Sequence, residues 1–323
     1  MLINCVAYSE GAKLAEIPVA DIGRHLALPN TMVWVALRDA SHDEMVQMQG
    51  EFGLHDLAVE DSLHGHQRPK IEEYGQTVFA VLHMLEFSPT DSLQVGEVHI
   101  FAGPKFVLSV RNRSSQGFLG VRQRCEREPH LLRQGPSFVL YALMDAVVDR
   151  YFPLVDALET ELEAVEGQIF VRGAARANIE RLYELKREVT TLRHAVAPLM
   201  DAVGKLHGGR VPAICAASGD YFRDIADHLA RLQTSIDTIR DTIGTAIQVN
   251  LSMVTIEESE VNKRLAAWAG IFALATFWVG VWGMNFKFMP ELDWGAGYPF
   301  ALMLMAASAV VPMWYFRRRG WLK

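Results

Sequence analysis

Cysteine, catalytic motifs and surplus positive charge are all scarce in this chain of 323 residues. Its three cysteines, Cys5, Cys125 and Cys215, are far apart and form no Cys-x-x-Cys pair. This spacing argues against a disulfide framework and a structural zinc site, and it agrees with a reducing compartment. The N-terminus has no basic segment followed by an apolar run, so we expect no signal peptide. We find no nucleophile–base pair, phosphate loop or paired-carboxylate motif, and therefore expect no enzyme.

Negative charge predominates before residue 265. The segment from residue 265 onward holds five basic and two acidic residues, so the first 264 residues hold 26 basic and 36 acidic ones, a net charge of −10. This balance argues against nucleic-acid binding and is compatible with the attraction of cations.

Long uncharged runs occur twice near the C-terminus. Residues 265–286 would form a helix of about 33 Å, enough to cross a hydrocarbon core of roughly 30 Å. Residues 294–316 form a second such run, and the short loop between the two contains Lys287, Glu291 and Asp293. We therefore predict two transmembrane helices in a lipid bilayer.

Basic residues concentrate at the outer ends of these runs, whereas the loop between them has one lysine against two acidic residues. Lys263 and Arg264 precede the first run, and residues 317–319 with Lys323 follow the second. The positive-inside tendency predicts a multi-pass protein of the inner (cell) membrane with both termini in the cytosol.

The part before the membrane divides into three predicted segments. Residues 1–136 predict a cytosolic α/β domain, with a β-hairpin around Gly103-Pro104. Residues 137–219 predict a cytosolic hairpin of two long helices, 137–170 and 174–207, with kinks or breaks at Pro153 and Pro198. The predicted strands are 2–8, 31–37, 78–87, 96–101 and 105–111, and the shorter helices are 41–52, 54–63 and 114–128.

Residues 220–264 predict a stalk helix that continues into the first membrane helix. Apolar residues recur from Ile225 to Val254 with a period close to 3.6. A helix of roughly 100 Å needs partners, so we infer an oligomer. The predicted fold class is an α+β domain followed by a long helical stalk and two C-terminal transmembrane helices. Residues 265–316 form the membrane pore module and 317–323 a basic cytosolic tail.

One face of the first membrane helix is small and mildly polar. At 100° per residue its members fall within a sector of about 80°. Such a face could line a narrow channel, or it could pack tightly against another helix. The residues on this face are Asn262, Leu265, Ala269, Ala273, Thr276, Gly280 and Gly283.

Gly283-Met284-Asn285 closes this span, and Met-Pro-Glu-Leu follows at 289–292. These motifs resemble those of the CorA family of magnesium channels. Segments 66–74 and 221–224 and the Arg-rich tail are also similar to that family, so the resemblance covers the whole chain. The resemblance implies a homopentameric funnel with one central pore for hydrated Mg²⁺. It makes Gly283-Met284-Asn285 the outer selectivity element. From the residues alone, a residue that forms the turn at the helix end is the favoured interpretation of Asn285.

The resemblance also implies closure of the pore by cytosolic Mg²⁺, bound by Asp224 and by Glu60 and Asp61 of a neighbouring domain. Asp224 alone could be a solvated charge favoured by the helix macrodipole. Three positions depart from the family, and at one of them Ala273 is smaller than the methionine often found there. Asn262 stands where methionine is common, which puts the length of the hydrophobic gate at Leu265 in question. Lys287 stands where an acidic residue is common, and it would either repel cations or pair with an acid of its loop.

The main hypothesis is a magnesium channel that also passes Co²⁺ or Ni²⁺. A zinc transporter of the ZntB branch is the first alternative, and Met-Pro-Glu-Leu favours the magnesium branch over it. A non-conducting oligomeric membrane anchor is the second alternative. The stripe with Thr276 and Gly280 argues against it, because an anchor needs no polar face.

Overall fold

Seven strands form one mixed sheet in the N-terminal part of the computed structural model. Their order across the sheet is β2-β1-β3-β7-β6-β5-β4, and only β3 and β7 run parallel. The strands are β1 Leu2–Ser9, β2 Ala12–Glu16, β3 Thr31–Arg38, β4 Lys70–Tyr74, β5 Thr77–Phe87, β6 Leu93–Ala102 and β7 Phe106–Asn112. The structure describes residues 1–87, 93–171, 173–208, 211–285, 287, 289–290 and 293–322.

Ten α-helices lie in the described part of the chain. Short 3₁₀ turns, Val19–Asp21 and Ala213–Ser218, precede the first and the ninth. The helices are α1 Ile22–Leu26, α2 His42–Phe52, α3 Asp56–His64, α4 Leu119–Arg127, α5 Pro129–Leu132, α6 Pro136–Asp149, α7 Tyr151–Glu166, α8 Ala175–His207, α9 Gly219–Trp282 and α10 Gly297–Arg318.

The sheet is covered on both faces, because its central strands are apolar at nearly every position. On one face, Val33, Val35 and Phe101 pack with Met45 and Phe52 of α2 in a single buried cluster. On the other face α6 contacts β5, β6 and β7. All five predicted strands are present, and the predicted hairpin is confirmed by the antiparallel pairing of β6 with β7.

Sequence reasoning missed β2 and β4 and misplaced two helix boundaries. Both missed strands lie at the sheet edges, so few of their side chains are buried. The helix predicted from residue 114 begins at Leu119, because Glu86 accepts the backbone N–H groups of Ser115 and Gln116 and holds that segment out of the helix. The single helix predicted over 137–170 is two helices, α6 and α7, which meet at Arg150.

The two prolines of the helical part behave differently. Pro153 is the third residue of α7, where its missing N–H would have no intrahelical partner. Pro198 lies inside α8, a helix of 33 residues that continues on both sides of this proline. The predicted break is therefore present at the α6–α7 junction and absent at Pro198.

The predicted apolar stripe of α9 is buried over its first six positions. Ile225, Leu229, Leu232, Ile236, Ile239 and Ile243 are each at most 2% exposed. Beyond them Ile247 and Val254 are half-buried and Leu251 is exposed. α9 is a single helix of 64 residues, about 96 Å at 1.5 Å per residue.

By their internal contacts the residues form two compact units, 1–167 with 180–245 and 168–179 with 246–323. In the second unit the Asn250 side chain, fully buried, donates a hydrogen bond to the Ala175 carbonyl at 2.7 Å. Two helices are long and apolar enough to cross a membrane, the segment that ends at Trp282 and α10. The architecture of an α/β domain, a long helix and two apolar C-terminal helices is confirmed, whereas the predicted domain boundaries and the pentamer stay predictions.

Gly11 lies in the turn between β1 and β2 and packs closely against α5. Its φ is +82°, and a Cβ built on it would lie 2.0 Å from the Pro129 carbonyl oxygen. We expect Gly11→Ala to lower the free energy of unfolding by about 2–4 kcal/mol, through backbone strain and overpacking. Urea unfolding of the detergent-solubilised protein, followed by circular dichroism, measures this change.

The matched control is Gly50→Ala inside α2, where a Cβ would have no atom within 4 Å. Alanine there should raise stability by roughly 0.5–1 kcal/mol through its higher helix propensity. The contact between the β1–β2 turn and α5 would be refuted if Gly11→Ala unfolded at the same urea concentration as the unmodified protein, or at a higher one.

Candidate functional site

Among the described residues, the membrane part of α9 contacts α10 through one face. Ala267 and Ile271 are at most 3% exposed and form a cluster with Leu322, against which Ala309, Met313 and Phe316 pack. The face predicted to line a pore lies about 180° around the helix from this contact. Asn262, Leu265, Ala269, Ala273, Thr276, Gly280 and Gly283 are all exposed in the single chain.

Helix α9 ends at Trp282, directly before Gly283-Met284-Asn285. The Gly283 N–H still donates to the Val279 carbonyl at 2.8 Å, and the Met284 N–H donates to Val281 at 3.4 Å. A Cβ at Gly283 would lie 2.9 Å from the Val279 oxygen, so glycine permits this tight end. Asn285 follows outside the helix, and its side chain is exposed.

The loop between the two spans is described only in part. Lys287 and Asp293 are exposed. Glu291, the third predicted residue of this loop, lies outside the described residues. The proposed pairing of Lys287 with an acid of the loop therefore stays a prediction.

A second cluster of chemically active groups lies in the first unit. Asp145 of α6 and Asp224 and His228 of α9 each offer a ligand atom, and these atoms lie within 4.8 Å of one another. Asp145 is 5% exposed, and its Oδ2 accepts a hydrogen bond from Arg124 Nη2 at 2.8 Å. His228 Nε2 lies 3.9 Å from Asp224 Oδ1, and Nδ1 lies 4.0 Å from Asp149 Oδ1.

The electrostatics of this cluster favour a cation. Burial raises the pKa of the Asp149 carboxyl, and the negative charge of Asp145 raises it further. Burial raises the pKa of Tyr141 to about 12, with Asp145 and Asp224 adding to the effect. The carboxylates of Asp145, Asp149 and Asp224 thus lie in one region. In the described structure Arg124 forms an ion pair with Asp145 among these three.

Comparison with known proteins identifies the family. The profile of the family described as CorA-like Mg²⁺ transporter protein matches residues 29–318. The chain belongs to this family. It is 34% identical over 296 residues to the cobalt/magnesium transport protein CorA of Thermotoga maritima, a match that covers 91% of this chain and 84% of the relative.

Solved structures agree with the fold. The complete structure of the CorA magnesium transporter from Methanocaldococcus jannaschii matches with a TM-score of 0.79 at 19% identity, over 100% of both chains. The full-length CmaX protein matches with a TM-score of 0.76 at 21% identity, over 98% of this chain and 97% of that one. The chain is therefore a CorA-like divalent cation transporter with membrane-spanning helices, and its family is one of transporters rather than enzymes.

The donors of the Asp145–Asp224–His228 cluster fit a divalent cation. Carboxylate oxygens are the ligands that Mg²⁺ prefers, whereas an imidazole suits Co²⁺, Ni²⁺ or Zn²⁺. The His228 Nδ1 atom is buried and has no hydrogen-bond partner among the described residues. Such an atom is costly to bury, and a bound ion or its water would satisfy it.

The two other predicted regulatory residues are not part of this cluster within one chain. Glu60 is exposed on α3, and Asp61 Oδ2 accepts a hydrogen bond from Lys70 Nζ at 2.7 Å. Lys70 also contacts Glu72 at 2.9 Å, so its charge is shared between two carboxylates. A role for Glu60 and Asp61 in metal binding stays a prediction and needs a neighbouring chain.

Sequence reasoning missed Asp145, Asp149 and His228. A signal was present, because Asp145 with Asp149 and Asp224 with His228 are both pairs four residues apart, and such pairs share one face of a helix. Only the tertiary structure shows that the two pairs meet.

Asp224→Lys tests the cluster as a metal site. A lysine there would place a positive charge among the ligand atoms and exclude a divalent cation. We expect saturating Mg²⁺ to slow limited proteolysis of the unmodified protein several-fold and to leave the variant unprotected. Densitometry of the full-length band over time measures the effect.

Asp241→Lys is the matched control, because Asp241 is exposed on the same helix, pairs with Arg240 and is not part of the cluster. It should retain the protection. Equal protection of Asp224→Lys and the unmodified protein would remove Asp224 from the metal site.

Proposed function

We propose that five copies of the chain form a channel of the inner membrane that passes hydrated Mg²⁺ and is closed by Mg²⁺ on the cytosolic side. Both termini lie in the cytosol, as the basic flanks of the two spans predict. One observation supports this proposal most strongly. In a chain of a cation transporter family, the small, polar face of α9 lies opposite the contact with α10 and is left uncovered by its own chain.

The uncovered face fits a central path for ions. A threonine hydroxyl exposed to hydrocarbon lacks partners, whereas in a water-filled path it is hydrated. With α10 on the outer side, the faces of five α9 helices would converge on one axis. Thr276 would then present hydroxyl groups to the path, with the small Ala273 and Gly280 leaving it open on either side.

Asn285 is the proposed outer selectivity residue. Mg²⁺ loses its water shell reluctantly, so a selective ring must accept hydrogen bonds from bound water with neutral oxygens. Five exposed Asn285 side chains at the end of α9 could supply amide oxygens, and Gly283 would keep nearby carbonyls accessible.

The opposite end of the path is the proposed gate. Five Leu265 side chains would make a hydrophobic constriction that closes by dewetting. One helical turn earlier Asn262 supplies an amide rather than a further apolar ring. The dry part of this gate would therefore be short and would rehydrate readily.

The Asp145–Asp224–His228 cluster is the proposed regulatory site. A cation bound there, assisted by Glu60 and Asp61 of a neighbouring chain, would hold the closed assembly together. Dissociation of this cation at low Mg²⁺ would release the chains from one another. Because imidazole is a good ligand for Co²⁺ and Ni²⁺, His228 supports binding of either ion at this site in place of Mg²⁺. The Thermotoga maritima relative, named for cobalt and magnesium transport, supports Co²⁺ beside Mg²⁺ as an ion of this chain.

Flux through the purified protein in liposomes tests the function. We expect Mg²⁺ uptake by the unmodified protein and at least a ten-fold slower uptake by Asn285→Ala, because the amide ring is lost. A fluorescent indicator inside the liposomes measures the initial rate, and size-exclusion chromatography verifies that the variant still assembles. Normal, selective uptake by Asn285→Ala would refute the role of Asn285.

The same assay separates the alternative functions. Uptake of Zn²⁺ without Mg²⁺ would favour a zinc transporter. Uptake of neither ion by an assembled protein would favour a non-conducting anchor.

A further inference from the structure

A basic cavity of about 720 Å³ lies in the first unit, between α8 and the part of the sheet that contains β5 and β6. Six of its lining residues are arginine or histidine, namely Arg68, Arg113, Arg193, His66, His83 and His194. Glu97 is the acid among the lining residues. When its histidines are neutral, the cavity has a formal charge of +2, because it has three guanidinium groups and one carboxylate. The whole chain, by contrast, has a net charge of −7.

Glu97 is not available to a cation, because its hydrogen bonds are already made within the protein. The residue is 1% exposed, and its Oε1 accepts from the His66 N–H and from Arg113 Nη2, both at 2.7 Å. Its Oε2 lies 3.1 Å from the buried His99 Nε2. Burial raises the pKa of this carboxyl, but the hydrogen bonds and charges of His99, His66 and Arg113 outweigh burial and keep the pKa below its ordinary value.

The Glu97 network instead fixes the basic wall. Arg113 is held by Glu97 on one nitrogen, and its Nη1 lies 2.7 Å from His66 Nε2. Gly65 and His66 both have positive φ, +63° and +59°, so the loop that leads to Arg68 turns sharply at this point. The His66 N–H bond to Glu97 holds that turn in place. A preorganised wall loses little entropy when a ligand binds.

The two remaining arginines of the cavity have no charged partner in the described part of the chain. Neither Arg68 nor Arg193 forms an ion pair or side-chain hydrogen bond with any described residue. The side of the cavity formed by Val95, Ala197 and Pro198 is apolar. The cavity therefore combines uncompensated guanidinium groups with an apolar wall.

We propose that this cavity binds a small organic phosphate ester. A phosphate monoester has a charge of about −1.5 to −2 at neutral pH, which matches the +2 of the wall. Planar guanidinium groups bind phosphate oxygens in pairs. The volume falls within the roughly 300–1,000 Å³ of small-molecule sites and exceeds what one phosphate ion would fill, so the organic part would contact the apolar side. The assignment is independent of the proposed channel function.

Isothermal titration calorimetry on the full-length protein in detergent tests this proposal. The probes are adenosine monophosphate and glucose 6-phosphate, with adenosine, glucose and inorganic phosphate for comparison. We expect at least one ester to bind saturably and at least ten-fold more tightly than inorganic phosphate, and the uncharged probes not to bind. The two esters distinguish a nucleotide ligand from a sugar phosphate.

Variants locate the site. Arg193→Gln and Arg68→Gln should each weaken binding roughly ten-fold or more, because each removes a charge-assisted contact. Arg187→Gln is the matched control, since Arg187 is exposed on α8 outside the cavity and should leave the affinity unchanged. Thermal unfolding without ligand verifies that all three variants fold alike.

Three results would overturn the proposal. The first is no saturable binding of either ester by the unmodified protein. The second is equal affinity for inorganic phosphate and the esters, which would refute an organic ligand. The third is unchanged affinity in both cavity variants.

Discussion

A polar face on a membrane helix must be covered by protein or water, because hydrocarbon offers it no hydrogen-bond partners. In this chain α10 packs on Ala267 and Ile271, about 180° around α9 from the face with Thr276. The chain cannot cover that face by itself, so other copies or a water-filled path must do so. The proposed assembly, the central ion path and the position of Asn285 at its end all depend on this constraint.

The first unit separates charge in a related way. At the junction of α6 and α9, Arg124 pairs with the buried Asp145, while Asp149 and Asp224 have no arginine or lysine partner among the described residues of that junction. Beside α8 the signs are reversed, since the buried Glu97 holds Arg113, while Arg68 and Arg193 have no charged partner in the described part of the chain. In both places an arginine pairs with a buried carboxylate, and the surplus charge indicates the class of ligand that we propose. One region suits a divalent cation and the other a small polyanion.

Periodicity predicted the elements that bury one face or both along their length, such as β5 and the stripe of α9 from Ile225 to Ile243. It missed β2, because an edge strand with exposed side chains has no apolar alternation to detect. The membrane spans and Gly283-Met284-Asn285 could be found from sequence, since each is a local pattern. The Asp145–Asp224–His228 cluster could not, because it joins residues that are far apart in the chain and meet only through helix packing.

Cysteine accessibility tests the central claim, that the uncovered face of α9 borders the ion path. The native Cys5, Cys125 and Cys215 are all buried, which favours a low background. Ala273→Cys and Thr276→Cys lie on the face, whereas Leu274→Cys lies about 140° away from its centre and is the control. With a water-soluble thiol reagent on protein in liposomes, the account predicts rapid modification at 273 and 276 that blocks Mg²⁺ uptake, and slow modification at 274 that does not. Rapid modification at 274 with 273 and 276 protected would contradict it.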